Sequence, residues 1–552
     1  MIGTSIWELV FIRACIFVIQ HSIPLAGCIA FILLATQWPS IAFWVFGCLF
    51  GLDLLYCICL YLPFKARLSG LAKHPQLHSR SERDALFRQC CENIPDPERY
   101  LRLWFLDADP ADIKRENVRD LFLWAFFDRG TVADPNAGHD AEAPETLQHE
   151  LDDYIARTEQ LLGRPLKPGR GSAVPLRLTI DLVETRFRSL WWYAVVGLVD
   201  FGTYSFLIWH GFHFYSLRAK KALAVFPTRV PALLPTLPGK LRVLKAPSAS
   251  SEMSYWYRPH TSPDTLPVLF IHGIGIGLHP YTNFLSEIPD GTGVIALEIL
   301  PISMRLSSAP LAQPEFLHHV RQILGHHGWD RFMIVSHSYG SVLTTHILRS
   351  ADLGPRVEAV VLVDPVSLLL HLPDIAYNFT RRRPRRANEW QLWFFASQDP
   401  GTALALGRHF FWRENLIWKE ELVAPLDANG VGAYSDNGVV ESRRTQDVQR
   451  KRKVAVCLSG RDLIVDTLTL AQYLVADRGL SRLEPHNETD LAELLMSEES
   501  QAADGGDPGA GGYMTKLGIE VLWFPTLDHS QVFDKERDRT RLLSVVKKYC
   551  GV

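Results

Sequence analysis

The apolar positions of the chain form long unbroken runs near the start and short, regularly spaced runs in the second half. The runs at 14–35 and 41–63 are long enough, at about 1.5 Å per helical residue, to cross a hydrocarbon layer of about 30 Å. Only residues 36–40 separate them. The pattern therefore predicts a membrane hairpin of two transmembrane helices.

Polar residues inside these runs leave an alternative open. Arg13, Gln20, His21 and Asp53 are unfavourable in lipid, so one of the two runs could instead be a buried or interfacial helix. A third apolar stretch, 190–209, carries Asp200 near its centre. We expect this stretch to lie at the membrane surface or beside an apolar substrate and not to span.

Basic residues follow the second run, at positions 65, 67, 73, 80 and 83. The excess of Lys and Arg on the cytoplasmic side of membrane proteins predicts that the rest of the chain faces the cytosol. The endoplasmic reticulum or another internal membrane is compatible with this orientation.

Three regions follow from these changes in pattern. Residues 1–65 are the expected membrane anchor, and residues 66–240 are the expected accessory region, with helical patterns at 81–92 and 111–128. Residues 241–552 alternate short apolar runs with amphipathic segments. The expected strands there are 267–271, 293–299, 331–335, 357–363, 453–458 and 518–524, and the expected helices are 314–326, 339–350, 465–477 and 532–549.

Nearly continuous apolar strands that alternate with helices predict a mostly parallel sheet with helices on both faces, an α/β fold. In such sheets, ligands and catalytic groups gather at the carboxyl ends of the strands. The candidate chemistry of this chain lies at those ends.

The segment Ser336-His337-Ser338-Tyr339-Gly340 follows one expected strand and precedes an expected helix. This context is that of the Gly-x-Ser-x-Gly nucleophile elbow, which makes Ser338 the candidate nucleophile. Serine replaces glycine at position 336. The elbow is crowded, but a side chain as small as serine fits there with modest strain.

A glycine-rich turn, His272 to Gly277, follows an earlier strand. The second donor of an oxyanion hole is expected at such a turn, so the N–H groups of Ile274 and Tyr339 are the candidate donors. The alternative is a phosphate-cradling loop. That alternative lacks the third glycine at the required spacing, and no helix follows the turn directly.

Two further strand ends carry an acid and a base. Asp462 follows the strand at 453–458 and His529 follows the strand at 518–524, which gives the chain order Ser, Asp, His. Asp462 and His529 are therefore the expected acid and base of a triad. Asp364 and Asp466 are alternative acids, because the first also ends a strand and the second follows Asp462 by one helical turn.

Other histidines have structural interpretations. We expect His337 to pack or to form a local hydrogen bond, and His272 to form a hydrogen bond within its loop. The pairs at 318–319 and 326–327 are adjacent residues, which do not converge on one ion from a helix. We expect no metal and no cofactor.

These four motifs, in this order, resemble the α/β-hydrolase superfamily, over residues from about 266 to the end. The whole chain also resembles membrane-anchored hydrolase-like proteins of fungi. The resemblance implies the α/β-hydrolase fold and an acyl-transfer site formed by Ser338, His529 and Asp462. It also implies an inserted cap over the site, expected here at about 366–450, and serine at 338 disfavours the aspartate nucleophile of epoxide hydrolases and dehalogenases.

The expected cap contains aromatic segments beside an arginine cluster at 381–386. This composition favours a cap that contacts an anionic membrane surface and admits a lipid-like substrate. A packed cap core with a solvated charge run explains the composition equally well. The acidic, glycine-rich stretch at 484–512 is expected to be a disordered insertion.

Composition excludes several other classes of protein. The net charge is −3, which is not the strongly basic balance of a nucleic-acid-binding protein. The nine cysteines are scattered, without the spacing of a disulfide framework or of a zinc site.

The leading hypothesis is a membrane-bound serine hydrolase that cleaves an ester or thioester with an apolar acyl part. The alternatives are a lipid acyltransferase that uses the same acyl-enzyme and a catalytically silent membrane scaffold with the hydrolase fold. The chain does not indicate a protein partner.

Overall fold

A computed structural model of the protein describes residues 2–36, 41–131, 144–235, 243–423, 451–476 and 512–551, with 239, 480 and 495 in isolation. Most of the insertion expected at 484–512 lies outside the described residues. The end of the expected cap, 424–450, also lies outside them.

The two apolar runs at the start of the chain form long helices that pack side by side. The first run is helix α1, Ile6–Ala35, which begins with a capping box between Ser5 and Glu8. The second run forms α2, Ile41–Tyr56, and α3, Leu62–Leu68, joined by the π-helical turn Cys57–Tyr61. Both helical stretches are long and apolar enough to cross a membrane.

Asp53 is the acid that makes the second run unusual, and the structure gives its carboxylate two donors. The hydroxyl of Ser22 in α1 lies 2.5 Å from one carboxylate oxygen. The backbone N–H of Leu190 donates to the other at 2.6 Å. A buried carboxylate with two donors avoids the penalty of an unpaired one, and it joins three apolar segments.

The accessory region, expected to be mainly helical, contains seven α-helices and one short strand among its described residues. Its helices are α4 Arg80–Glu92, α5 Pro97–Trp104, α6 Arg115–Phe127, α7 Pro144–Leu162, α8 Leu190–Trp209, α9 Ala219–Leu223 and α10 Val230–Leu233. Helices α4 to α7 share an aromatic core that includes Phe87, Phe122 and Tyr154. Ser79 and Glu82 form a capping box at the start of α4.

Helix α8 is the third apolar stretch, and it also has the length and composition of a membrane span. The side chain of Asp200 in this helix, however, contacts other parts of the folded chain. Its carboxylate pairs with Arg229 at 2.9 Å and with Arg305 at 2.8 Å. Arg229 also pairs with Glu298 of the sheet. One face of α8 is therefore fixed to the C-terminal half of the chain.

The described residues from 213 onward contain a ten-stranded sheet. Its strands are β1 His213–Ser216, β2 Ala246–Pro247, β3 Ser254–Arg258, β4 Val268–Ile271, β5 Val294–Glu298, β6 Phe332–His337, β7 Val357–Val363, β8 Lys453–Ser459, β9 Tyr513–Met514 and β10 Ile519–Phe524. The order is β2-β1-β3-β5-β4-β6-β7-β8-β10-β9. Six neighbouring strands of this sheet, β5, β4, β6, β7, β8 and β10, run parallel to one another. They are the six expected strands, which confirms the prediction of a mostly parallel sheet.

Both faces of the sheet are covered, because successive side chains of a strand point to opposite faces. In β6, Ile334 belongs to one apolar core, whereas Met333 and Val335 belong to the other. The covering helices include α11 Thr282–Glu287, α12 Gln313–His326 and α13 Gly340–Arg349.

A set of short helices follows β7, where the cap is expected. These are α14 Pro373–Thr380, α15 Ala387–Gln391, α16 Pro400–His409, α17 Trp412–Asn415 and α18 Lys419–Leu422, with a π-helical segment at Leu392–Ser397. Two further helices follow later in the chain, α19 Thr467–Val475 after β8 and α20 Glu536–Cys550 after β10. The accessory helices hold this segment through the ion pairs of Arg99 with Asp374 and of Arg413 with Asp128.

The Asp53 contact leads to a stability prediction. Asp53→Leu leaves the N–H of Leu190 and the hydroxyl of Ser22 without their acceptor, so we expect the protein to lose about 1–3 kcal/mol of stability. Asp53→Asn keeps an oxygen for Leu190 and should lose much less. Thermal unfolding of the full chain in a nonionic detergent compares the two variants. Equal melting temperatures for Asp53→Leu and the wild type would contradict the role of this contact.

Candidate active site

Ser338 lies in a sharp turn between β6 and α13. Its φ of +50° is in the left-handed region, which side chains other than glycine rarely adopt. Its N–H donates to the carbonyl of Val363 at 2.9 Å. A Cβ at Gly340 would lie 2.3 Å from the carbonyl oxygen of Ile271, so only glycine fits there. These features are those of a nucleophile elbow.

Ser336, which replaces the first glycine of the motif, is fully buried. The hydroxyl of Thr344 in α13 donates to its Oγ at 2.9 Å. The extra hydroxyl is therefore hydrogen-bonded, and the local structure accommodates serine at this position.

The glycine-rich turn after β4 lies directly against the elbow. A Cβ at Gly273 would approach the Cβ of Ser338 to 2.8 Å. Within the described parts of the chain, the N–H groups of Ile274 and Tyr339 have no protein acceptor. Both donors are thus available beside Ser338, where an oxyanion hole requires them.

His529 and Asp462 form a buried pair. The Nδ1–H of His529 donates to Asp462 at 2.7 Å, and the same carboxylate accepts the N–H groups of Ile464 and Val465. The other ring nitrogen of His529 has no partner among the described residues. Burial lowers the pKa of His529, but the charge of Asp462 outweighs burial and raises that pKa to about 9.

The two alternative acids have other positions. Asp466 is the N-cap of α19 and accepts the N–H of Thr469. Asp364 is buried and accepts the N–H and hydroxyl of Ser459 and the N–H of Ser530. Burial, together with the charge of Asp462, raises the pKa of Asp364 to about 6. Asp364 therefore connects the loops that carry Asp462 and His529.

His337 and His272 both have local partners. His337 shares a hydrogen bond of 2.8 Å with the hydroxyl of Tyr281, and its ring centroid lies 5.0 Å from that of His529. Burial and the nearby His529 lower the pKa of His337 well below its usual value. His272 donates to the carbonyl of Gly273 and accepts the N–H of Ile299.

One group in the described chain could offer ligand atoms to a metal ion. Ligand atoms of His337, Asp364 and His529 lie within 4.8 Å of one another. Asp364 already accepts three hydrogen bonds, and Nδ1 of His529 is bonded to Asp462. The group coincides with the candidate acid and base.

Sequence reasoning missed two residues that support the site. The carboxylate of Asp528 accepts the N–H of Leu463, the N–H of His529 and the side-chain amide of Asn388. Asp528 thus links the loop of Asp462, the loop of His529 and the helical segment that follows β7. The position of Asp528 immediately before His529 could have indicated its role from the sequence, whereas nothing in the sequence indicated Asn388.

Comparison with known proteins agrees with this architecture. Residues 267–431 match a family model described as alpha/beta hydrolase fold. The match and the mostly parallel sheet identify the C-terminal half of the chain as an α/β-hydrolase fold. No curated protein matches the chain.

Solved structures with a similar arrangement include several hydrolases. A membrane phospholipase A described as a bacterial virulence factor is 11% identical, with 64% of this chain and 90% of that chain covered and a TM-score of 0.33. A carboxylesterase from Bacillus subtilis is 11% identical, with 65% and 99% covered and a TM-score of 0.31. An esterase from Thermogutta terrifontis is 11% identical, with 54% and 94% covered and a TM-score of 0.31. At these values the similarity carries no argument about activity.

The close approach at Gly273 leads to a testable prediction. Gly273→Ala would place a methyl group 2.7 Å from Nδ1 of His337 and 2.8 Å from the Cβ of Ser338. We expect this overpacking to lower stability by about 1–3 kcal/mol. Gly275→Ala is the matched control in the same loop, because its Cβ would meet nothing within 4 Å. Thermal unfolding measures both variants, and an equally stable Gly273→Ala protein would contradict the proximity of the two turns.

Proposed function

We propose that the protein is a membrane-associated serine hydrolase of the esterase or lipase type. The observation that carries the proposal is the buried His529–Asp462 pair at the same sheet edge as Ser338, which has the backbone strain of a nucleophile elbow. The proposed substrate is an ester or thioester with an apolar acyl part. The hydrolase domain is proposed to face the cytosol.

In the proposed reaction, Ser338 attacks the carbonyl carbon while His529 takes its proton through Nε2. Asp462 holds the ring of His529 and stabilises its positive charge. The N–H groups of Ile274 and Tyr339 stabilise the oxyanion. His529 then protonates the leaving group, and water attacks the acyl-enzyme to release the acid and free Ser338.

Apolar contacts between the anchor and the oxyanion loop support an apolar substrate. Ile12, Ile16 and Ile19 of α1 belong to an apolar cluster with Met304 and Leu306 of the hydrolase domain. Ile276, two residues after the candidate donor Ile274, packs against the same cluster. The N-terminal helix and the proposed oxyanion loop thus share one apolar cluster, and such an apolar environment suits a substrate that partitions into lipid.

The acyltransferase alternative uses the same acyl-enzyme and differs only in the acceptor, which would be a second lipid and not water. A silent scaffold would have no use for the His529–Asp462 pair beside a strained serine. Labelling of the serine separates the enzyme classes from the scaffold.

Reaction with a fluorophosphonate probe tests the nucleophile. We expect the full chain in membranes to be labelled and Ser338→Ala to lose labelling by more than about 100-fold, because the attacking oxygen is removed. Ser336→Ala is the matched control: it removes the neighbouring buried hydroxyl, but labelling should persist. An unlabelled, folded wild type would refute the enzyme proposal, and equal labelling of Ser338→Ala would place the nucleophile elsewhere.

The pH dependence of labelling tests the state of His529. The ring must be neutral to accept a proton, and its pKa is about 9. We therefore expect the labelling rate to rise with pH, with a midpoint near pH 9. Asp364→Asn removes a negative charge that raises the pKa of His529, so the midpoint should move to lower pH.

The control for this shift is Asp330→Asn, because the side chain of Asp330 is 99% exposed. The pH midpoint of the labelling rate of the Asp330→Asn variant should equal that of the wild type. A wild-type midpoint at the unperturbed value of about 6.5 would show that Asp462 does not control the protonation of His529.

A further inference from the structure

An arginine-lined cavity lies between the end of the accessory helix α5 and the cap. Its volume is about 560 Å³, and its walls include Arg381, Arg382, Arg383 and Arg385 together with Asp107 and Glu389. Four cations and two acids line one open cavity, which leaves an excess of positive charge.

Both acids in the wall have partners of their own. Asp107 accepts a hydrogen bond from Arg102 at 2.5 Å. Glu389 accepts the backbone N–H groups of Arg385 and Arg386, at 2.6 and 2.9 Å. Asp107 is thus paired with an arginine that does not line the cavity, and Glu389 alone cannot balance four arginines.

Two of the four arginines are available to a ligand. Arg382 donates to the carbonyl of Leu463 at 2.8 Å, and Arg381 lies beside the carbonyl of Thr380. Arg383 and Arg385 are exposed, and in the described chain no carboxylate pairs with either guanidinium group. Planar guanidinium groups with free donors match the oxygens of a phosphate group.

The cavity lies beside the start of the first membrane helix. Glu389 belongs to α15, whose Gln391 accepts the N–H of Ile2 at 3.1 Å. The guanidinium of Arg13 in α1 stacks over the ring of Trp390 at 4.0 Å. If α1 is inserted in a bilayer, its first turns lie at the level of the headgroups, and the cavity opens near that level.

We propose that this cavity binds a phosphate group, and that the headgroup of an anionic phospholipid is its source. The site is separate from Ser338, and the proposal does not depend on catalysis. Soluble phosphate offers the same oxygens to the arginines, so an experiment must distinguish the two sources.

The test measures binding by isothermal titration calorimetry to the full chain in a nonionic detergent. The probes are dihexanoyl phosphatidic acid, inorganic phosphate and dihexanoyl phosphatidylcholine. We expect phosphatidic acid to bind, and the double variant Arg383→Gln/Arg385→Gln to weaken its binding by at least about tenfold.

Arg321→Gln is the matched control. Arg321 does not line the cavity, and it pairs with Asp352, which precedes the amino end of β7. It should bind phosphatidic acid as the wild type does. The melting temperature of the double variant should not change, since both arginines are exposed.

The outcomes separate the sources and can overturn the proposal. Tighter binding of phosphatidic acid than of inorganic phosphate supports the lipid headgroup, and equal binding of the two supports a site for phosphate from solution. Wild-type affinity in the double variant would overturn the proposal. Equal affinity for phosphatidylcholine and phosphatidic acid would also overturn it, because binding would then not depend on the net negative charge of the headgroup.

Discussion

The carboxylate of Asp364 joins the loops at the edge of the sheet that carries the candidate catalytic residues. It stands at the end of β7 and accepts hydrogen bonds from Ser459, at the end of β8, and from Ser530, in the loop after β10. These loops also carry Asp462 and His529. Because the side chain is buried, an unpaired carboxylate there would be strongly unfavourable. The loops therefore supply donors to Asp364, and in doing so they hold Asp462 and His529 near one another.

Much of the C-terminal half could be predicted from the sequence. The six parallel strands are buried on both faces, so each one is a nearly continuous apolar run that is visible without a structure. Ser338, Asp462 and His529 each follow one of these strands, and their chain order Ser, Asp, His indicated them as candidate site residues. Their catalytic roles stay proposals, but the structure brings Asp462 and His529 together and places Ser338 at the same edge of the sheet.

Other features depend on contacts between distant residues and leave little trace in local pattern. Strands β1 and β3 are rich in aromatic residues, and β3 is held in the sheet by antiparallel pairing with β1 on one side and β5 on the other. The acid in α2 suggested a poor membrane helix, yet Asp53 is satisfied by residues 31 and 137 positions away. Asn388 is joined to Asp528 across 140 residues. Such pairs are set by tertiary structure alone.

The docking of α1 on the helical segment after β7 joins a part of the chain that is synthesised early to a part that is synthesised late. Ile2 contacts Gln391, which is 389 residues later in the chain, so the helix leaves the ribosome long before its binding surface exists. During that interval, the apolar face with Ile12, Ile16 and Ile19 lacks its protein partner, and lipid would cover this face in a bilayer. Cotranslational insertion would protect the helix from aggregation. Maturation would then end with the newly made cap closing on a helix that is already in place.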